Sequence, residues 1–164
     1  MLKDIASMRR QWKNGLLVAL WLLAPGAAAA QNASFGDWAK QCEPVGGGSE
    51  RCYLVQTVKA DDKPVMVIVV AYSPGRERVA AMIDVPLGMH LPTGLEVKAA
   101  GVVKKIEFEQ CLPTGCRAML PMDEDILKVL KNGDAAAIIG RGRDGESVEL
   151  PISAAGFIEA FGAL

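Results

Sequence analysis

Polar and apolar residues alternate along most of the chain beyond residue 30, the pattern of strands with one face in a core and the other in water. From Phe35 to Cys42 the alternation puts Phe35, Asp37 and Ala39 on one side and Gly36, Trp38, Lys40 and Cys42 on the other. This predicts a strand anchored in the core by Trp38. Arg51 to Val58 is rich in β-formers, and Gly46-Gly47-Gly48-Ser49 between the two segments reads as a hairpin tip. Val65 to Tyr72 is apolar throughout, as expected of a central strand covered on both faces. Arg78 to Asp84, Leu95 to Ala99, Val103 to Gln110 and Arg117 to Leu120 continue the extended pattern. They are interrupted by turns at Ser73-Pro-Gly75 and by the irregular stretch Pro86 to Gly94, which holds two prolines and two glycines.

The period changes twice. Asp123 to Gly133 has acids at its start, Lys128 and Lys131 towards its end and a glycine beyond, all matched to a helix and its dipole. Ser153 is placed to cap a short final helix in which Phe157, Phe161 and Leu164 share a face. Between these helices, Ala135 to Gly140 and Ser147 to Ile152 predict a last strand pair. About eight short strands with two small helices point to a mainly β chain, an antiparallel β-sandwich rather than a βαβ fold.

Residues 1–30 follow a different rule. Lys3, Arg9, Arg10 and Lys13 precede the apolar run Gly15 to Ala24, followed by Pro25-Gly26 and Ala28-Ala29-Ala30. That order predicts a cleavable Sec-type signal peptide cut after Ala30, with an apolar core too short to span a bilayer. Cleavage leaves 134 of the 164 residues, read as one domain over 31–164. It removes four bases and one acid from totals of 18 and 19, so the remainder carries about −4, a balance that attracts neither nucleic acid nor an anionic membrane. The expectation is a periplasmic or secreted protein, not an integral membrane protein after cleavage.

Export gives the four cysteines their meaning, because an oxidising compartment allows them to pair. Three pairings are open. Cys42–Cys52 and Cys111–Cys116 are favoured because turn residues bridge each pair, the second through Leu-Pro-Thr-Gly. On the loop-entropy account they contribute about 3 and 2 kcal/mol. Neither pair has the two-residue spacing of thioredoxin-like redox sites or the close spacing of cysteine zinc sites.

No catalytic constellation stands out, and no enzyme activity or cofactor is expected. His90 is the only histidine, and no Gly-x-Ser-x-Gly elbow surrounds any serine. Glu107 and Glu109 lie two apart on the wet side of a strand, where a solvated charged face accounts for them. The stretch holding Pro86, Met89, His90 and Pro92 is the candidate recognition loop, since rigid exposed loops often carry binding. An alternative is a periplasmic Cu(I)-binding protein using Met89, His90, Met119 and Met122, with Met82 nearby in the set, because thioether and imidazole suit that ion. Methionine as ordinary core filler is the simpler account. Thiol-redox chemistry at Cys111 and Cys116 is a third, weaker alternative.

The order of these motifs resembles the invasion-associated locus B proteins of Gram-negative bacteria. The resemblance rests on Phe35-Gly-Asp-Trp38, Cys42 and Cys52 with Tyr53-Leu-Val-Gln56, Pro86-Leu-Gly88 and Leu91-Pro-Thr-Gly94. Cys111-x4-Cys116-Arg-Ala118, Leu-x-x-Leu-Lys-Asn-Gly133 and Gly156-Phe157 with Ala160 and Leu164 extend it over nearly all of the expected mature chain. The resemblance implies an exported β-rich domain in a family named for a role in host-cell invasion; the absence of a catalytic constellation beside a well-patterned core leads to the expectation of a binding module that recognises a protein or an envelope component. The resemblance transfers no catalytic residue.

Overall fold

The alternating segments become antiparallel strands in the computed structural model, which describes residues 32–164; the signal peptide expected over residues 1–30 lies outside them. Among the described residues the elements are β1 (Ala33–Phe35), β2 (Trp38–Val45), β3 (Ser49–Ala60), β4 (Lys63–Tyr72), β5 (Val79–Val85), β6 (Leu95–Ala99), β7 (Val102–Ile106), β8 (Phe108–Leu112) and β9 (Gly115–Pro121). They continue with α1 (Glu124–Lys131), β10 (Ala136–Arg141), β11 (Ser147–Ile152) and α2 (Phe157–Gly162). Two antiparallel sheets form, a seven-stranded one in the order β1-β2-β3-β4-β5-β9-β8 and a four-stranded one in the order β11-β10-β6-β7. Their inward faces and both helices close on one apolar cluster that includes Ile68, Ile83, Leu95, Ile138, Leu130 and Phe157.

Local chemistry explains the element ends. Asp123 caps α1 by accepting a hydrogen bond from the Ile126 N–H, and Gly133 ends the turn with φ of +83°. The Gly-rich tip lets β2 and β3 pair so that Cys42 faces Cys52. The tip after Leu112 does the same for Cys111 and Cys116, and both pairs are bonded.

Four expectations are corrected. Phe35 to Cys42 is not one strand: the chain turns at Gly36-Asp37, and β1 folds back on β2 with Phe35 opposite Trp38. Val103 to Gln110 is also divided, at Glu107, with β7 in the smaller sheet and β8 in the larger. β4 is central, but only Met66, Ile68 and Val70 are fully buried; Val65, Val67, Val69 and Ala71 on its other face are half-buried, because no layer among the described residues covers them. Finally, Gly156 rather than Ser153 is the N-cap of α2. The Ser153 hydroxyl instead accepts from the Ala155 N–H.

Candidate recognition surface

Pro86 to Gly94 carries the chain from β5 in the larger sheet to β6 in the smaller one, so no single sheet can supply its hydrogen bonds. The loop satisfies itself and borrows from its neighbours. A 3-10 turn over Leu91–Thr93 is closed by the Gly94 N–H donating to the Leu91 carbonyl, and the Thr93 hydroxyl donates to the His90 carbonyl at 2.8 Å. The His90 N–H donates to the Arg141 carbonyl at 2.8 Å, and Met89 forms a β-bridge with Gly142. Met89 packs its methyl over Gly140, where an added Cβ would meet it at 2.2 Å. The loop is therefore pinned in place while Pro86, Leu87, His90, Leu91 and Pro92 remain exposed.

Two turns flank this loop. The tip between β8 and β9 carries Leu112, and its Gly115 lies so close to the Val85 carbonyl that a Cβ there would sit 2.4 Å from the oxygen. The turn after β10 is held by the Arg141 guanidinium donating to the Gly145 carbonyl and by Asp144 accepting from the Glu146 N–H. Leu87, Leu91 and Leu112, exposed at 57%, 45% and 42%, are thus carried by the loop and the adjoining tip. Beside them, Arg117 makes a two-point pair with Asp84, at 2.7 and 2.8 Å. That hydrogen bonding raises the guanidinium pKa further above its ordinary value, against a smaller opposing effect of burial.

The structure separates the soft-metal set. Met119 lies on the outer face of the larger sheet opposite Met82, whereas Met122 is buried in the core and Met89 packs against the smaller sheet. His90 is exposed beside Met89. Cys42, Glu50 and Cys52 lie within 4.8 Å of one another, but both sulfurs are committed to the disulfide. A shallow cleft of about 430 Å³ lies elsewhere, between Gly133–Ala135 and Ile152–Ala155.

Reasoning from the sequence overlooked Gln56, the one buried polar side chain among the described residues. Its amide nitrogen donates to the Ser153 carbonyl at 3.1 Å and its oxygen accepts from the Ser153 N–H at 3.0 Å. The Trp38 indole also donates to the Ser153 carbonyl, at 2.8 Å. The available signal was a glutamine in phase with Leu54 on the inward side of a strand.

The family model for Invasion associated locus B (IalB) protein matches residues 38–164. No curated protein matches the chain. Among solved structures, the crystal structure of invasion associated protein b from Bartonella henselae aligns with a TM-score of 0.71 at 17% identity. The alignment covers 81% of this chain and 93% of that one, and the likeness is one of fold.

Proposed function

The chain belongs to the invasion associated locus B family, and from that membership we propose an exported, non-catalytic binding module that recognises a protein or another component of the cell envelope. The observation that carries the reading is the surface built by the Pro86–Gly94 loop and the Cys111–Cys116 tip. Its backbone is pinned while three leucines stay exposed, which suits recognition without a large ordering cost.

Export is supported by the cysteines, all four of which are paired in two disulfides of the kind that persist in oxidising compartments. No described helix is long and apolar enough to cross a membrane. Recognition through loops rather than by strand addition is supported by the state of the sheet edges. β7 carries Lys104, which forms an ion pair with Asp123; β11 carries Pro151; and β8 is irregular between Phe108 and Gln110. Each feature discourages pairing with another strand. In this family setting the partner would lie on the envelope or, in an invasive bacterium, on the surface of the host cell being entered.

The test places a photo-crosslinking residue at Leu91 in the producing cell and, as a control, at Val103, which is 62% exposed on a different edge. The expected result is a discrete adduct from Leu91 in the periplasmic, outer-membrane or medium fraction, on a protein whose N-terminus is Gln31. Equal adducts from both positions, or retention of the chain in the cytoplasm, would overturn the reading.

A further inference from the structure

The two disulfides close similar cross-strand pairs, each with a Cα–Cα distance of 4.0 Å, but they stand in different surroundings. Cys42–Cys52 joins β2 to β3, two strands inside the sheet, whose outer ladders to β1 and β4 stop at Lys40 and Leu54, two residues short of the cysteines. Both cysteines are half-buried, and the Glu50 carboxylate lies within 4.8 Å of both sulfurs, where its charge repels an approaching thiolate. Cys111–Cys116 joins β9 to β8, an edge strand paired with β9 alone. Cys111 is exposed, as is every residue of β8 except Phe108. The ladder between β8 and β9 shifts register between Phe108 and Gln110, so few regular backbone bonds hold the edge once the crosslink is gone.

The tip closed by that disulfide is also a buttress. Gly115 lies against the Val85 carbonyl and the Cα of Pro86, at the point where the chain leaves β5 for the recognition loop. We infer that Cys111–Cys116 is a reducible latch whose opening by a dithiol reductant frees the β8 edge and releases the Pro86–Gly94 loop from its fixed form. The inference rests on the recognition role proposed above for that loop, and supplies its regulation.

The chemistry is ordinary exchange. A reductant thiolate attacks the exposed Cys111 sulfur, and the S–S bond breaks with Cys116 leaving as a thiolate that takes a proton from solvent. The second thiol of the reductant then attacks its own sulfur in the mixed disulfide. Cys111 is released as a thiol and the reductant leaves as its disulfide, having supplied two electrons and two protons. Reoxidation reverses the sequence and re-forms the tip against Pro86.

The test uses the folded mature protein in a graded series of dithiothreitol, quenched with acid and alkylated so that each cysteine is scored by peptide mass. Cys111 and Cys116 are expected to label at a reductant concentration about tenfold below that needed for Cys42 and Cys52. In the singly reduced protein, amide exchange should quicken over 108–116 and over 86–94 while 38–42 and 52–56 stay protected. Simultaneous opening of both disulfides, earlier opening of Cys42–Cys52, or unchanged exchange over 86–94 would each overturn the latch. The double variant Cys111→Ser with Cys116→Ser should show the same exchange pattern without reductant; the wild-type titration decides the matter even where that variant fails to fold. Partner capture from Leu91 separates the two ideas. Capture by the oxidised form alone supports the latch, and equal capture by both forms overturns it while leaving recognition intact. Capture by neither form removes the recognition role, whereas the order of labelling is read without any partner.

Discussion

Two glycine-containing motifs that look alike in the sequence do opposite work in the molecule. Where the turn between β1 and β2 meets the segment leading into α2, Gly36 and Gly156 let backbones meet: a Cβ on Gly36 would lie 2.6 Å from the Ala155 carbonyl oxygen, and one on Gly156 2.1 Å from that of Phe35. Around that contact the Asp37 N–H donates to Ala155, the Trp38 ring meets Phe157 edge-on at 5.1 Å, and Gln56 clasps Ser153. Trp38 and Phe157 are essentially inaccessible to water. In the Pro86–Gly94 loop, Gly88 also takes a positive φ, +102°, yet nothing lies within 4 Å of where its Cβ would be. Leu87 beside it is 57% exposed. The first motif is a packing device in which no buried side-chain polar atom lacks a partner; the second is a turn that keeps apolar side chains in water. Motif density alone therefore does not separate a glycine that packs from one that only turns the chain. The neighbours of the glycine do.

Alanine at the two glycines should break or keep that distinction. Gly156→Ala adds a backbone clash to the cost of a positive φ, and the loss of stability should exceed about 3 kcal/mol. Gly88→Ala meets only the conformational cost, about 1–2 kcal/mol. Urea unfolding of both variants measures the difference, and equal losses would mean that the tight junction is not what holds the β1–β2 turn to the segment before α2.

Gln56→Leu asks a smaller question of the same junction. Leucine fills similar space but leaves the Ser153 N–H unanswered in a buried setting, while Trp38 still serves the Ser153 carbonyl. The expected loss is about 1–3 kcal/mol. A change below about 0.5 kcal/mol, typical of a surface site, would show that solvent reaches the backbone there after all.

Much of this architecture was legible because its signals are local. Three acids before an apolar spacing and a glycine after it mark α1, and turn residues between paired cysteines set both hairpins. The sheet switch at Glu107 left no trace because it keeps the period: Ile106 and Phe108 both point to the core, with Glu107 between them outside, as in an uninterrupted strand. The turn at Gly36-Asp37 was hidden by the brevity of β1, whose three residues are too few to show alternation of their own. Gln56 was passed over because a polar residue in phase with the core only makes sense once Ser153, 97 residues away in the chain, is seen beside it. The Pro86–Gly94 loop was legible as irregular from its prolines and glycines. That it would be pinned to the Arg141 turn and the Cys111–Cys116 tip depends on strand order, which alternation does not encode.

The exposed loop should respond to substitution in the reverse sense from the junction. Leu87→Ser with Leu91→Ser removes apolar side chains that pack little, so stability should change by no more than about 0.5 kcal/mol. Crosslinked capture from a probe on the same loop should nevertheless be lost. A large fall in stability would place these leucines in the core's service, and unimpaired capture would move the binding surface elsewhere.

The smallest effect expected compares the two faces of one strand. On the inner face of β3, Gln56 makes buried hydrogen bonds; on the outer face, three residues earlier, the Tyr53 hydroxyl donates to the Glu43 carboxylate at 2.5 Å in an exposed pair. That hydrogen bond, with a lesser effect of burial and the Glu43 charge, raises the Tyr53 pKa above its ordinary 10.0. Because the folded state holds the proton more tightly than the unfolded one, the contribution to stability is complete below pH 10 and is lost as pH rises through the folded-state value. Glu43→Gln should bring the phenolate titration of Tyr53 down towards the ordinary value and remove the share of the alkaline fall in stability that Tyr53 supplies, with little effect at neutral pH, where solvent screens the pair. A titration unmoved by the substitution would show that the pair does not hold in solution, leaving the inner face of β3 as the side whose polar contacts matter.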